Sequence, residues 1–570
     1  MNSLSILSDS IPKEADVLIV GSGFAALSCA IALKTKGINP ILIEKSGVWG
    51  GTSALSLGVM WLPGHPLSEE QNSKERAKEY LLAVGGNRID EPGIDLFLAY
   101  TYEAFNFFDD LEAIKSIAPP ILPDYQPELP GGVHGGRALR QIPFDGSILG
   151  DDLKTLRHPL KDNTIFNGLM IDGPEIPHFF SYNKKISSSW KIVRLISKYA
   201  VNRVKHGRDS RLTLGQALMG RMGAKARALG IPIYLNTAFV DFELEDGVCT
   251  RAVLRKNERL FDIKILNSIV FASGGYPQNR DLINKFFPQH AKGKHLSLAP
   301  LSNNGEATLA ALKYGAGIET NLITPYAYMP LSIVPDTNIH PRLALSGGLD
   351  RAKPGVILVN KKGLRFTNEA ADYHVLGKEI EEKCADNGGE CYLISDYSAF
   401  KKWGLGAALP IPGMEKKWKS NGYLVHSETL TDLANKLGID SLGLETTVRE
   451  FNATAIEGTD TAFGRGSSFY NKYIRSSGEF RIQEDMIAPL AKSPYYAIRL
   501  IPGDLGTFAG LRTDSLGRVM HAEGSSFSNI YAIGNDRASI FGGFYPGPGI
   551  TLGPSLVFGY IAAKSIAREL

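Results

Sequence analysis

The sequence predicts an α/β protein: a discontinuous Rossmann-type domain with an α+β domain inserted into it. Three observations predict it. A glycine-rich turn joins an apolar strand to a helix within the first 36 residues. Two further apolar strands ending in small or acidic residues recur far downstream, at Ile269 to Gly275 and Ile530 to Asp536. At 570 residues the chain also exceeds what one hydrophobic core organises.

Val17 to Val20 is a short apolar run that reads as a buried parallel strand. Gly21-Ser22-Gly23-Phe24-Ala25-Ala26 follows, a GxGxxA form of the dinucleotide fingerprint. The first glycine permits the tight turn, the second lets a pyrophosphate approach the backbone, and Ala26 allows close helix–strand packing. A helix is expected from about Ala26 to Lys36, its N-terminus turned to phosphate. A second strand, Pro40 to Ile43, ends in Glu44, at the spacing of a ribose hydroxyl ligand.

FAD is expected rather than NAD because Gly50-Gly51-Thr52-Ser53-Ala54 follows by a short loop. Small residues there let backbone and hydroxyls reach a pyrophosphate and a flavin; the alternative is an ordinary polar turn. The strand end Ala272-Ser273-Gly274-Gly275 and the strand Ile530 to Asp536 can converge with the first at one sheet edge, where ligands bind. The candidate cofactor residues are Gly21, Gly23, Phe24, Ala25, Glu44, Lys45, Gly50, Gly51, Thr52, Ser53 and the Ala272-Ser273 strand end.

Near the C-terminus stands Tyr545-Pro546-Gly547-Pro548-Gly549-Ile550-Thr551. Prolines remove backbone donors and fix φ, while glycines expose theirs. The run can present the Tyr545 hydroxyl and the Gly549 N–H to one ligand oxygen. It can also be a tight turn before a helix.

These blocks resemble the flavoproteins grouped with fumarate reductases and 3-ketosteroid dehydrogenases, and most of all the 3-ketosteroid-Δ1-dehydrogenases. The resemblance rests on the fingerprint through Glu44, the GGTS loop, the ASGG and YAIGND strands, and the YPGPGxTxGP signature from Tyr545 to Pro554. Pro354 to Asn360, with Gly363, Arg365-Phe366 and Asn368-Glu369, is similar to a second block that ends here in Tyr373. Asp124 to Gly132 is similar to a segment carrying another active-site tyrosine, here Tyr125.

The resemblance implies FAD-dependent introduction of a carbon 1–carbon 2 double bond into a 3-oxo steroid. Tyr545 and Gly549 would grip the carbonyl as an oxyanion hole does. Tyr373 would be the tyrosinate-like base, helped by the Tyr125 hydroxyl, since a free phenol titrates near 10. Each tyrosine has a plainer reading: Tyr373 as a half-buried helix residue, Tyr125 in an ordinary Pro-rich loop. Tyr326 and Tyr328 are expected as pocket wall. No histidine stands in Thr52-Ser53-Ala54, so the flavin is expected to be non-covalent.

Charge is nearly balanced, 62 basic against 59 acidic residues, and nothing calls for nucleic acid. The four cysteines, Cys29, Cys249, Cys384 and Cys391, show no CxxC spacing. A reducing cytoplasm is expected. Met1 to Ser10 lacks a basic n-region and an apolar h-region, so no export signal is expected. No run approaches the roughly 18 apolar residues of a spanning helix. The 11 histidines are scattered, with no metal-ligand cluster.

The expected domains are residues 1–325, the first part of the FAD-binding domain; 326–503, the substrate domain; and 504–570, the return to the first. Residues of about 150 to 210 read as an insertion. Within it, Ser188 to Lys205 has Trp190, Val193, Ile196, Ala200 and Val204 on one helical face and Lys191, Arg194, Lys198 and Asn202 opposite. Such a helix can lie on an anionic membrane surface, peripheral to the inner face. The alternative is an interdomain or dimer helix with a solvated basic face. Three alternative functions stay open: a fumarate-reductase-like flavoprotein with arginine clamps such as Arg351 and Arg365, a desaturase of a non-steroid cyclic ketone, and a flavin redox sensor. The sequence leaves the electron acceptor and the oligomeric state open.

Overall fold

The computed structural model describes residues 11–166, 168–180, 185–335, 342–345, 350–411, 413–475 and 487–570. The expectation about Met1 to Ser10 lies outside them. The principal sheet has eight strands. Its parallel part places Ile233–Tyr234, Pro40–Ile43, Glu14–Val20 and Arg259–Phe271 side by side, and Ser526–Ala532 joins the far edge of the last. The register aligns the strand ends: Val20 pairs with Ile43 and with Phe271, and Phe271 with Ala532. The three glycine-rich or acidic turns read from the sequence therefore leave the sheet along one edge, the position where open α/β sheets bind ligands. The first half of the Arg259–Phe271 strand pairs antiparallel with Val248–Lys256, which pairs with Thr237–Glu245.

The first helix runs Phe24–Thr35, two residues earlier than expected, because extended Gly23 is its N-cap. The last helix is Leu552–Ile566, with Pro554 in its first turn, where a missing N–H costs nothing. The two helices pack together. A Cβ on Gly559 would lie 2.7 Å from Ser28 Cβ, so this contact requires glycine.

A second, antiparallel sheet orders Val356–Val359, Cys391–Ser395, Tyr495–Leu500 and Val425–Ser427. Its strands alternate between two cores. Val356 and Leu358 join Leu376 and Ile380 of the Tyr373–Lys383 helix. Ile357 and Val359 join Leu433, Leu444 and Phe451. The Tyr373 helix is thus anchored on this second sheet. Between the two sheets, Gly503–Thr507 pairs with Leu296–Ser297 and Tyr326–Tyr328.

The insertion contains a helix, Ile186–His206. Ser188 and Tyr199 face the protein, while Ile186 is 90%, Trp190 69%, Val193 52% and Val204 90% exposed. The apolar stripe points outward, because Tyr199 is held from inside, its hydroxyl donating to the Phe166 carbonyl at 3.1 Å. Among the described residues no helix is long and apolar enough to cross a membrane.

Candidate active site

One continuous cavity runs from the aligned strand ends to the Tyr373 helix. Gly21, Gly23, Phe24, Ala25, Glu44, Lys45, Gly51, Thr52, Ser53, Ala272 and Ser273 all line it. Gly50 does not. Its N–H donates to Ser22 Oγ at 3.2 Å, so it shapes the cradle from behind.

The cradle residues fit a dinucleotide. Gly21 adopts φ +115°, and a Cβ there would come within 2.3 Å of the Ala272 carbonyl oxygen. The Ser22 hydroxyl donates to Glu44 Oε2 at 2.5 Å, and Ser46 N–H to Glu44 Oε1 at 2.9 Å, which fixes the carboxylate at the cavity wall. Ser53 Oγ accepts the Phe24 N–H at 3.2 Å and ties the GGTS loop to the helix start. Lys45 forms an ion pair with Glu306. Asp536 accepts from the Ser273 and Gly274 N–H groups, which joins the ASGG and YAIGND turns. Burial pushes its carboxyl up to about 6, against the lowering effect of those donors.

Tyr125, Tyr373, Tyr545 and Gly549 line the other end. Ring centroids lie 5.4 Å apart for Tyr125 and Tyr373, 5.1 Å for Tyr373 and Tyr545, and 5.5 Å for Tyr125 and Tyr545. Tyr373 is the first residue of its helix, held there by the Asp372 side chain, which accepts from His374 and Val375 N–H groups at 3.0 and 2.9 Å. Tyr125 follows Asp124, whose carboxylate takes Trp61 Nε1–H and Arg137 Nη1, each at 2.8 Å. Gly549 has φ +94°, and a Cβ there would lie 2.5 Å from the Val59 carbonyl oxygen. Among the described residues no protein acceptor takes its N–H.

Burial dominates the phenols. It holds Tyr125 and Tyr373 well above the ordinary tyrosine value and pushes Tyr545 to about 12. The Tyr125 hydroxyl acts to lower Tyr373, but burial and Tyr545 outweigh it. Tyr125 alone therefore does not turn Tyr373 into a tyrosinate in the resting protein.

Beside Tyr373 the wall is apolar: Leu160, Leu298, Met329 and Leu505. Tyr326 and Tyr328, expected as pocket wall, lie behind it. Their strand buries both rings, Tyr328 bonding Glu381 and Tyr326 stacking on His295 at 4.0 Å. Strand alternation is the reason: Tyr326 and Tyr328 share one face, and Met329, next in the chain, takes the other and reaches the cavity.

Sequence reasoning missed Tyr470. Its ring lies 5.0 Å from Tyr125, and burial raises its phenol. It sits in the short Phe469–Arg475 helix, which carries no motif. His374 and Asp124 were also missed, although each adjoins a chosen tyrosine.

The FAD binding domain family matches residues 16–552. The chain is 33% identical to 4-oxocyclohex-2-ene-1-carboxylate 5-dehydrogenase of Sinomonas cyclohexanicum, covering 97% of this chain and 94% of that one. It is 31% identical to 3-oxosteroid 1-dehydrogenase of Mycobacterium tuberculosis, covering 98% and 99%. Among solved structures, 3-ketosteroid delta1-dehydrogenase from Sterolibacterium denitrificans in complex with 1,4-androstadiene-3,17-dione superposes with a TM-score of 0.89 at 28% identity, covering 98% of this chain and 100% of that one.

Proposed function

Because the chain belongs to the FAD binding domain family, we propose that it introduces a carbon 1–carbon 2 double bond into a 3-oxo steroid. It is an FAD-dependent oxidoreductase acting on a CH–CH group, a dehydrogenase of the 3-ketosteroid dehydrogenase family. The observation that carries the steroid reading is the position of Tyr373, its ring 5.4 Å from Tyr125 and 5.1 Å from Tyr545, beside an apolar wall.

Tyr545 and the Gly549 N–H hold the 3-oxygen and stabilise the negative charge that develops there. Tyr373 takes the proton from carbon 2. Tyr125 favours the ionised form of Tyr373 as the proton moves. FAD, when bound by the Gly21–Glu44 cradle, supplies the acceptor for the hydride from carbon 1. Leu160, Leu298, Met329 and Leu505 pack the hydrocarbon and exclude water from the developing charge.

The 33% identity to a dehydrogenase of an oxo-cyclohexene carboxylate supports a second reading, desaturation of a smaller cyclic ketone. The charges around the cavity weigh against an acid. Lys45 is paired with Glu306, and Arg157 bonds Ser46 near Glu44, both at the cradle end. No cation stands beside the tyrosines among the described lining residues. A dicarboxylate is still less suited: Arg365 is committed to Glu369 and Asp460, and Arg351 to the Glu369 and Ala371 carbonyls.

Anaerobic addition of androst-4-ene-3,17-dione should bleach the yellow protein. Bleaching by 4-oxocyclohexanecarboxylate and not by the steroid would transfer the assignment to the second reading, and bleaching by succinate alone would reject both.

We also assign the cofactor to residues 1–325 and 504–570, which contribute Tyr125, Tyr545 and Gly549 to the site, and the substrate and catalytic domain to 326–503, which contributes Tyr373. The Ile186–His206 helix is read as a peripheral contact with anionic lipid. Its apolar stripe faces outward, and the same helix carries Lys191, Arg194, Lys198 and Lys205 with no acidic residue. Co-sedimentation with phosphatidylglycerol vesicles, lost in Trp190→Glu, tests this.

A further inference from the structure

His374 follows Tyr373 in the chain, is 4% exposed, and lies outside the cavity lining. Its imidazole lies between two main-chain groups, the Tyr328 N–H and the Gly543 carbonyl. Nδ1 accepts the Tyr328 N–H at 3.2 Å. The Gly543 carbonyl stands near enough to the other ring nitrogen to favour its proton and act to raise the imidazole. That carbonyl accepts from Thr324 Oγ1 at 3.1 Å. Because Nδ1 is an acceptor, the ring proton sits on Nε2, and a single neutral tautomer suits both main-chain groups. Burial lowers its pKa to about 3, so it stays neutral wherever the protein is folded and active. Both nitrogens face backbone groups, so His374 does not carry protons.

The three segments that meet at this ring carry the site. Tyr373 precedes His374, Met329 of the apolar wall follows Tyr328, and Tyr545 lies two residues beyond Gly543. The His374 ring also packs 5.7 Å from the Tyr545 ring and 5.5 Å from Phe508. Gly543 adopts φ +82°, and a Cβ there would meet the Thr324 carbonyl oxygen at 2.6 Å, so the loop sits in one place.

We infer that His374 is a positioning residue that sets the spacing between Tyr373 and Tyr545, by tying the start of the Tyr373 helix to the loop that carries Tyr545. This rests on the roles proposed above. Proton removal at carbon 2 and the grip on the oxygen at carbon 3 act on adjacent atoms. The spacing of the two phenols therefore decides whether both can act on one substrate.

The test uses the FAD-loaded protein and His374→Phe, His374→Gln and His374→Asn. Phe keeps a ring and removes both nitrogens. Gln reaches the Nε2 position and can still donate to Gly543; Asn reaches the Nδ1 position and can still accept from Tyr328. Three quantities are read: flavin content, steroid dissociation constant from the flavin spectrum, and loss of deuterium from carbon 2 of the bound steroid. His374→Phe should keep flavin and steroid affinity and slow carbon 2 exchange and flavin reduction by about 10²-fold, the effect of a misplacement near 1 Å. His374→Gln should recover most of that loss and His374→Asn little of it. If Phe loses its flavin, the order Gln over Asn decides. Exchange in His374→Phe equal to wild type, or Asn matching Gln, overturns the inference. A wild-type protein that no 3-oxo steroid reduces sinks the substrate assignment instead, and the same variants are then read with the cyclic ketone that does.

Discussion

The rings of Tyr125 and Tyr545 stack at 5.5 Å and 18°, and their backbones are tied as closely, the Tyr125 N–H donating to the Pro546 carbonyl at 2.9 Å. The Tyr80 hydroxyl donates to the same carbonyl at 2.6 Å. Pro546 therefore serves as a common anchor, and Tyr373 completes the group from the second sheet. The proposed roles make distinct predictions.

Tyr373→Phe should bind steroid like wild type and fail to reduce flavin, because the ring stays and the base goes. Tyr545→Phe removes one of two donors to the oxygen and should lower turnover by roughly 10²–10³. Stopped-flow flavin reduction separates the two, and near-wild-type reduction in Tyr373→Phe would reassign the base.

The reaction should accelerate as pH rises through neutrality. Burial keeps Tyr373 protonated above the ordinary tyrosine range, so below that range the ionised fraction grows about tenfold per pH unit. Tyr125 lowers Tyr373, so Tyr125→Phe should move the profile to more alkaline pH with a milder loss at high pH. A profile flat between pH 6 and 9 in single-turnover experiments contradicts this.

Gly549→Ala should cost both stability and rate. The added methyl meets the Val59 carbonyl at a φ of +94°, a strain of about 1–3 kcal/mol. Relief moves the N–H away from the ligand oxygen. Thermal unfolding and single-turnover reduction should fall together; wild-type turnover with a normal melting temperature would remove Gly549 from the oxyanion grip.

The flavin should come off intact. No histidine stands at Thr52-Ser53-Ala54, so acid precipitation should leave FAD in the supernatant, identified by chromatography. A yellow precipitate would show a covalent link formed elsewhere.

Much of the fold was legible in local pattern. The fingerprint, Glu44 and the two later glycine-ended strands each announce a strand end, because tight turns and close approaches admit only small residues there. The structure sets them in register, Ile43 beside Val20 beside Phe271 beside Ala532. Patterns less tied to backbone strain misled. Tyr326 and Tyr328 looked like cavity residues by type, and strand alternation turned Met329 inward instead. The helix at 186–206 is amphipathic in sequence, but which stripe meets the protein depends on a partner elsewhere, the Phe166 carbonyl that holds Tyr199.

By itself the sequence determined the cofactor cradle, since a phosphate-binding turn is a short contiguous object whose glycines are required by local geometry. It also named Tyr125, Tyr373 and Tyr545 as candidates. Only the tertiary structure decided that these phenols meet, that Tyr470 and His374 stand behind them, and that burial raises every phenol of the group. Spacing across separate chain segments and loss of solvent are collective properties of packing, and no stretch of sequence carries them alone.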